Sequence, residues 1–179
     1  MNRVQVERSE SDRRYSFVET TFGTAVLEWT DEGIARVELP DGNAPSPRAV
    51  SSIAARPTGV AAEAARKIQA YFAGEDVDFD SLPLDLANVP GFARQVYAAA
   101  RLIKRGELAT YGELAEKMGM PGSARAVGGA LGRNPVPLIV PCHRVVAAGG
   151  RVGGFSAGAG VVLKRRMLAL ENASALKLK

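Results

Sequence analysis

The chain has 179 residues, 46% of them hydrophobic and 23% charged, a composition typical of a globular protein with a sizeable core. No apolar run approaches the ~20 residues of a membrane span, and residues 1–15 lack the apolar segment of a signal peptide. The single cysteine excludes an internal disulfide and a multi-thiolate zinc site. We therefore expect a cytoplasmic protein with no metal, no cofactor and no membrane partner.

The net charge of +4 is unevenly distributed along the chain. Residues 1–85 carry 15 acidic and nine basic side chains, a net charge of −6, whereas residues 86–179 carry four acidic and 14 basic ones, a net charge of +10. A basic half is typical of proteins that bind a polyanion, most simply nucleic acid. An imbalance with no such partner would give the same numbers, so charge alone leaves both interpretations open.

The first half of the chain predicts a small antiparallel sheet with a helix. Residues 1–13 are polar, and we expect no regular structure there. Three short β-type runs follow, separated by turn residues, which predicts an antiparallel meander. These runs are residues 15–20, 24–29 and 34–39. Beyond them, residues 41–57 contain three prolines and predict a loop, the apolar spacing of residues 61–72 predicts a helix, and residues 82–86 predict a short last strand.

The charge balance changes at residues 88–91, so we divide the chain into an N-terminal α/β domain, 1–87, and a mainly helical domain, 88–179. Apolar residues from Phe92 to Ile103 predict a helix that ends near Gly106.

Two short helices are predicted after it. Thr110-Tyr111-Gly112-Glu113 fits a capping box that opens a helix through Met118, and Ser123 is predicted to cap a second helix over residues 124–131. Because a Gly/Pro turn at residues 119–122 joins them, the pair predicts a helix-turn-helix, whose second helix usually enters a groove of DNA.

The second of these helices is rich in small residues. Gly128 and Gly129 each cost ~1 kcal/mol relative to alanine in a helix interior. Such a cost suggests that something approaches the helix closely, either a DNA backbone or the core of the protein itself. Its one long polar side chain is Arg125.

The only cysteine, Cys142, precedes the only histidine, His143. A free thiol is mostly protonated at neutral pH, so a nucleophilic cysteine needs a base, and that base needs a group to orient it. Of the four acidic residues in the second half, Glu171 lies in an amphipathic helix and can turn inward. Neighbours in an extended segment point to opposite sides, which predicts a water between Cys142 and His143. The alternative is a cysteine that only fills the core.

These motifs carry a resemblance to a known family. Pro141-Cys142-His143-Arg144-Val145 is similar to the active-site signature of the O6-alkylguanine-DNA alkyltransferases, and the resemblance runs from about Val89 to Glu171. It includes residues 110–115, 124–130, 134–137 and the segment from Lys164 to Glu171. The first half matches only in kind: its small sheet with a helix resembles the family's ribonuclease-H-like domain. The second half resembles the family's winged-helix-like domain, which contains the helix-turn-helix.

The resemblance implies an activity and a role for each site residue. The chain would repair O6-alkylguanine, and less readily O4-alkylthymine, in double-stranded DNA by one irreversible transfer of the alkyl group to Cys142. His143 would be the base and Glu171 its orienting group. A monomer is implied, with cooperative binding along DNA left open.

The resemblance also implies the contacts to DNA. Arg125 would fill the space that the flipped nucleotide leaves, and Tyr111 would push on the adjacent phosphate and donate to the base. Asn134 would tie the helix-turn-helix to the active-site segment, Val145 would accept from the guanine amino group through its carbonyl, and the Ser156 amide would donate to O6. Further contacts to substrate or DNA are implied for Ala124, Gly128, Phe155 and Lys164.

The lid over the base pocket, residues 149–160, departs from the family pattern. Phe155 stands where a tyrosine is usual, and Ala157 replaces a glycine and could narrow the pocket. Two other functions stay open. The first is a lesion-binding module that flips the base without repairing it, a class that has tryptophan in place of the cysteine. The second is a general thiol hydrolase, which would explain neither Arg125 nor the basic helix-turn-helix.

Overall fold

The computed structural model describes residues 13–43 and 53–173 of the chain. The expectation for residues 1–12, and for residues 44–52 of the predicted loop, lies outside the described residues. The strands in the described part are β1 (Arg14–Thr20), β2 (Gly23–Trp29), β3 (Ile34–Glu38), β4 (Ile53–Ala54), β5 (Ala109–Thr110) and β6 (Val145–Val146). Its α-helices are α1 (Gly59–Phe72), α2 (Gly91–Arg101), α3 (Tyr111–Lys117), α4 (Ala124–Leu131) and α5 (Val161–Leu170).

The first half forms a four-stranded sheet in the order β3-β2-β1-β4, covered by α1. The predicted antiparallel meander is confirmed, because β2 pairs antiparallel with both β1 and β3. The predicted loop is wrong at residues 53–54, which pair in parallel with β1. The backbone amides of Ile53 and Ala55 donate to the carbonyls of Arg13 and Tyr15, so the free edge of β1 overrides the local propensity.

The strand predicted at residues 82–86 is not formed. Leu84 makes only an isolated bridge with Ile34. Pro83 has no amide proton for a ladder, although its carbonyl accepts from the amide of Ile34 at 2.9 Å.

The second half contains the predicted helix-turn-helix. Its capping box is confirmed, since the Glu113 amide donates to Thr110 Oγ1 at 3.1 Å and the Thr110 amide donates to Glu113 Oε2 at 2.6 Å. Ser123 stands at the N-cap of α4 but makes no capping hydrogen bond there. Its φ of −87° and ψ of 14° are not the extended angles that aim a side chain at the helix amides.

Strands β5 and β6 pair in parallel, with Thr110 beside Val146. The start of α3 therefore lies next to the segment that carries Cys142. The predicted fold class, a small sheet with a helix followed by a mainly helical half, is confirmed. No helix in the described residues is both long and apolar enough to cross a membrane.

The two halves share one continuous core. The Val37 amide on β3 donates to the carbonyl of Pro135 at 2.9 Å, and the Ala159 amide in the lid donates to the carbonyl of Pro40 at 3.1 Å. The division at residue 87 stays a prediction. The segment that leads to Cys142 is supported from both sides of that division.

Within the first half, the close approach of the turn between β2 and β3 to the segment around Pro83 can be tested at a glycine. Gly33 has φ +151°, and a Cβ atom there would lie 2.5 Å from the Pro83 carbonyl oxygen. We expect Gly33→Ala to lower the free energy of unfolding by about 2–3 kcal/mol, measured by urea denaturation. Gly42→Ala is the matched control, because Gly42 has φ +87° but nothing within 4 Å of its Cβ position. Equal losses in both variants would contradict the close approach at Gly33.

Candidate active site

Cys142 lies at the end of a buried apolar segment that reverses direction tightly. Leu138 has φ +78°, and the amide of Val140 donates to the carbonyl of Val136 at 2.9 Å. The chain then enters a 3-10 turn, Cys142–Arg144. The cysteine is 7% exposed, so this turn presents its thiol to a narrow opening instead of the open surface.

Asn134, just beyond the end of α4, fixes this segment with three contacts. Its Nδ2 donates to the carbonyl of Val140 at 2.9 Å and to Cys142 Sγ at 3.3 Å, and its Oδ1 accepts from the amide of Val136 at 3.0 Å. It therefore lies between the helix-turn-helix and the cysteine, the position that the resemblance implies for it. An N–H directed at the sulfur favours the thiolate over the thiol.

Behind the cysteine lies a buried imidazole–carboxylate pair. His143 is fully buried, and its Nε2 lies 2.7 Å from Oε1 of Glu171, which follows the last residue of α5. Arg144 donates to both carboxylate oxygens, from Nε at 2.9 Å and from Nη2 at 3.0 Å, and its Nη1 donates to the carbonyl of Ile103 at 2.7 Å. The predicted partners His143 and Glu171 are thus brought together, and Arg144 compensates the buried charge.

Cys142 and His143 do not lie in an extended segment. The prediction of such a segment is wrong, because both residues belong to a 3-10 turn. His143 Nδ1 is buried and has no hydrogen-bond partner in the described part of the chain, while Nε2 faces Glu171. Nδ1 is therefore the atom free to accept a proton from the thiol side. The water between the two residues stays a prediction.

Burial sets the resting protonation states of both residues. It raises the pKa of the Cys142 thiol, although the hydrogen bond from Asn134 and the charge of Lys164 oppose it. It also lowers the pKa of His143 below 6.5, against the opposing effect of Glu171. At pH 7 the pair is a thiol and a neutral imidazole, the form in which the histidine can take a proton from the cysteine.

A cavity of about 290 Å³ opens in front of the cysteine. It is bounded by α3, α4, the active-site turn and the lid, through Tyr111, Gly128, Leu131, Gly132, Cys142, Gly154, Phe155 and Ser156. The Ser156 hydroxyl donates to the carbonyl of Gly132 at 2.7 Å, which ties the lid to the end of α4. Five of the predicted site residues therefore lie around one cavity.

One side of α4 faces this opening and the solvent beside it, while Val127 and Ala130 are buried in the core. Arg125 is exposed in the first turn and Ala124 is half-buried. A Cβ atom on Gly128 would lie 3.7 Å from the ring of Tyr111, an ordinary contact, and one on Gly129 would lie 3.7 Å from Arg133. Internal packing therefore does not require glycine at these positions. This favours close approach from outside over the alternative of packing against the protein's own core.

Lys164 lies beneath the lid. It is fully buried, and its Nζ donates to the carbonyl of Val145 at 2.7 Å and to that of Gly154 at 3.4 Å. Burial lowers the pKa of this lysine from 10.5 to about 8. Lys164 therefore holds the Val145 carbonyl and the lid from beneath, and the contact to substrate or DNA that the resemblance implies for it stays a prediction.

Two residues of the charge network had no role in the sequence analysis. Arg144 belongs to the signature itself, and its position beside His143 was the available signal. Tyr71, on α1, also reaches Glu171. Nothing in the sequence marks it, because it differs from other apolar positions of α1 only by a hydroxyl and lies 100 residues from its partner. No cluster of three metal-ligating side chains occurs in residues 13–43 and 53–173.

Two family models match the chain. Residues 13–86 match the ribonuclease-like domain of 6-O-methylguanine DNA methyltransferase, and residues 91–173 match the DNA binding domain of the same family.

Named relatives agree with these models. A methylated-DNA–protein-cysteine methyltransferase of Mycolicibacterium paratuberculosis is 48% identical over 62% of this chain, and the match spans 64% of the relative, just under two thirds of its length. One from Methanothermobacter thermautotrophicus is 36% identical over 82% of this chain and 78% of its own length. Among solved structures, Mycobacterium tuberculosis OGT in complex with DNA superposes with a TM-score of 0.77 at 34% identity, over 91% of this chain and 94% of the other.

The buried carboxylate gives a test of the network. Glu171→Gln keeps the shape but leaves Arg144 and His143 facing a neutral amide, so we expect the free energy of unfolding to fall by about 3–5 kcal/mol at pH 7. Although burial opposes it, the hydrogen bonds from His143 and Arg144 hold the pKa of Glu171 below 4.5. As the pH falls through 4.5, the unfolded wild type takes up a proton that the folded one does not, so its advantage over the variant shrinks.

The measurement is urea denaturation at a series of pH values, with Glu113→Gln as the matched control. Glu113 also accepts an N–H, but it is exposed, so its loss at pH 7 should be a small fraction of that at Glu171. A gap between wild type and Glu171→Gln that does not change below pH 4.5 would contradict an ionised Glu171.

Proposed function

The chain belongs to the 6-O-methylguanine DNA methyltransferase family, and we propose that it repairs O6-alkylguanine in duplex DNA by transfer of the alkyl group to Cys142. O4-alkylthymine would be the poorer substrate. One observation carries the proposal: the only thiol of the chain lines a cavity beside the helix-turn-helix, with an imidazole and a carboxylate behind it.

The depth of the cysteine determines how DNA must bind. A thiol that is 7% exposed is out of reach of a base stacked inside a duplex, so the damaged nucleotide must rotate out of the helix. The cavity of about 290 Å³ lies just below the ~300–1,000 Å³ typical of ligand pockets, which suits one base and a small adduct. Phe155 forms part of the wall of this cavity, whereas Ala157, which was expected to narrow it, lines a neighbouring cavity with Leu39 and Arg133.

The chemical step is one in-line displacement. The thiol proton passes, through a water, to Nδ1 of His143, and the sulfur attacks the alkyl carbon. The new S–C bond forms as the C–O bond breaks, and the electron pair of the broken bond stays on O6 of the guanine. Glu171, which Arg144 holds in place, stabilises the imidazolium that results. The product is a thioether, which no group of this site can cleave, so each molecule acts once.

Four residues are assigned to opening the duplex and holding the base. Arg125, exposed at the start of α4, enters the stack in place of the flipped nucleotide. Tyr111 lies on the cavity wall, where its hydroxyl can donate to the base as negative charge develops on O6. The carbonyl of Val145, which Lys164 holds in place, accepts from the guanine amino group, and the Ser156 amide donates to O6.

The partner is double-stranded DNA that carries an alkylated base. The exposed basic residues of the second half, Arg125, Lys117, Arg151 and Arg165 among them, supply charges for phosphates. Every group assigned to the reaction comes from one chain, which supports a monomer as the active form; cooperative binding along DNA is compatible with it.

The nucleophile is tested with Cys142→Ala. We expect this variant to bind duplex DNA, with an affinity that falls steeply as salt rises, and to transfer no methyl group. Mass spectrometry after incubation with an O6-methylguanine oligonucleotide should show one added methyl group on the wild-type Cys142 peptide. An unmodified wild-type peptide with tight binding would instead identify a lesion-binding module, and repeated turnover a hydrolase. Transfer by the variant would overturn the mechanism.

Base flipping is tested with Arg125→Ala. Without its side chain the vacated stack is unfilled, so we expect the single-turnover rate on duplex DNA to fall about tenfold or more. The loss on a single-stranded oligonucleotide should be much smaller, because no stack has to be opened. Arg66→Ala, which removes an exposed charge from α1, is the control and should leave both rates unchanged. Equal losses on duplex and single strand would show that Arg125 does not act in flipping.

A further inference from the structure

A tyrosine from the first half of the chain reaches the charge network behind Cys142. Tyr71 lies in the last turn of α1 and is fully buried. Its hydroxyl donates to Glu171 Oε1 at 2.8 Å and lies 3.4 Å from Nε2 of His143. The roles assigned so far to the reaction, all from the second half of the chain, do not use this hydroxyl.

The donors around Glu171 fix the direction of each hydrogen bond. Burial, and then the charge of Glu171, raise the pKa of Tyr71, so its hydroxyl keeps its proton and donates. Oε1 accepts from Tyr71 and from Arg144 Nη2, and it lies 2.7 Å from His143 Nε2. Because an ionised carboxylate can only accept, the proton of the neutral imidazole must lie on Nε2. Nδ1 then presents a lone pair.

We propose that Tyr71 is a positioning residue, which orients Glu171 and thereby keeps His143 in the tautomer whose Nδ1 accepts the proton from Cys142. The inference rests on the proposed function for its catalytic meaning. It gives the first half of the chain a defined part in the reaction: the hydroxyl on α1 completes a network that is otherwise built by the second half.

The tyrosine ring is held from both halves. The guanidinium of Arg105 lies 5.4 Å from its centroid, and Arg105 Nη2 donates to the carbonyls of Gly74 and Leu170, next to the ends of α1 and α5. The ring of Phe72 packs against it edge-on at 5.2 Å. Rotation of the hydroxyl away from Glu171 would break these contacts, so its direction is fixed by the packing.

The charged and titratable groups that face His143 come from several elements. Glu171 and Lys164 approach from α5 and its end, Arg144 and Cys142 belong to its own turn, and Tyr71 comes from α1. Arg105 acts on Tyr71 from the segment after α2. Of these, only Tyr71 can be altered by one oxygen atom without a change in charge.

Removal of the Tyr71 hydroxyl shifts the pKa of His143 in a predictable direction. A donor to Glu171 disperses its negative charge and weakens its support of the imidazolium. In Tyr71→Phe the carboxylate has one donor fewer, so it stabilises protonated His143 better, and the pKa of His143 moves upward by roughly half a unit to one unit. On the acid limb of the pH–rate profile, this shift corresponds to a roughly three- to tenfold slower methyl transfer.

The single histidine makes a direct measurement possible. In the full chain without a histidine tag, ¹⁵N-histidine labelling gives one imidazole in the NMR spectrum, whose two nitrogen shifts report both tautomer and titration. We expect the wild type to show the Nε2–H tautomer, and Tyr71→Phe to titrate at higher pH. The acid limb of single-turnover methyl transfer should move with it.

Tyr97→Phe is the matched control. Tyr97 is 2% exposed and its hydroxyl donates to the carbonyl of Ala130 at 3.0 Å, so this variant also loses one buried hydrogen bond, but away from Glu171. It should lower stability as Tyr71→Phe does without moving the titration of His143. If Tyr71→Phe also leaves the tautomer and the midpoint unchanged, Tyr71 is only structural and the inference is overturned.

A second variant keeps the test decisive if Tyr71→Phe fails to fold. Replacement of Tyr71 by 3-fluorotyrosine makes the hydroxyl a stronger donor, so the midpoint of His143 should move downward; no movement or the opposite movement overturns the inference. The NMR measurement needs no DNA. If the wild type fails to take a methyl group from duplex DNA, the proposed function is wrong, while the position of His143's proton still decides the role of Tyr71.

Discussion

The buried carboxylate of Glu171 is the interaction on which the rest of the site depends. At 4% exposure its charge would be costly without compensation, and it receives donors from the active-site turn, from α1 and from the amide of Gly106. Because each of these donors points at the same carboxylate, segments that are distant in sequence are held in one geometry. The orientation of His143 follows from this arrangement, because one ring nitrogen is committed to Glu171 and the other is left facing away.

This arrangement also explains how a buried cysteine can react selectively. In the resting protein burial keeps the thiol protonated, so Cys142 is protected from oxidants and from stray electrophiles. In the proposed reaction its proton leaves towards His143 Nδ1, and the substrate arrives through the cavity that Phe155 lines. Reactivity therefore depends on a damaged nucleobase that fits the cavity. In the proposed reaction each molecule uses this residue once, so it needs such protection more than a catalyst that is regenerated.

The sequence allowed much of this to be predicted, and the exceptions share a cause. The pair of His143 and Glu171 could be found because the second half offers few carboxylates. The capping box and the meander are local patterns, and they are formed as expected. Lys164, in contrast, precedes two arginines on α5 and looks like an exposed basic residue; its burial depends on how the lid folds over the helix. Strand β4 and Tyr71 likewise depend on partners far along the chain, which periodicity cannot show.

The division of charge gives the two halves different tasks. The first half has a net charge of −6, so it is poorly suited to follow a DNA backbone. What it supplies are contacts that hold the second half in shape: β3 supports the segment before Cys142 through Pro135, Pro40 holds the lid at Ala159, and Tyr71 directs Glu171. An isolated second half would keep the nucleophile and the basic surface, but it would lose the hydroxyl that directs Glu171.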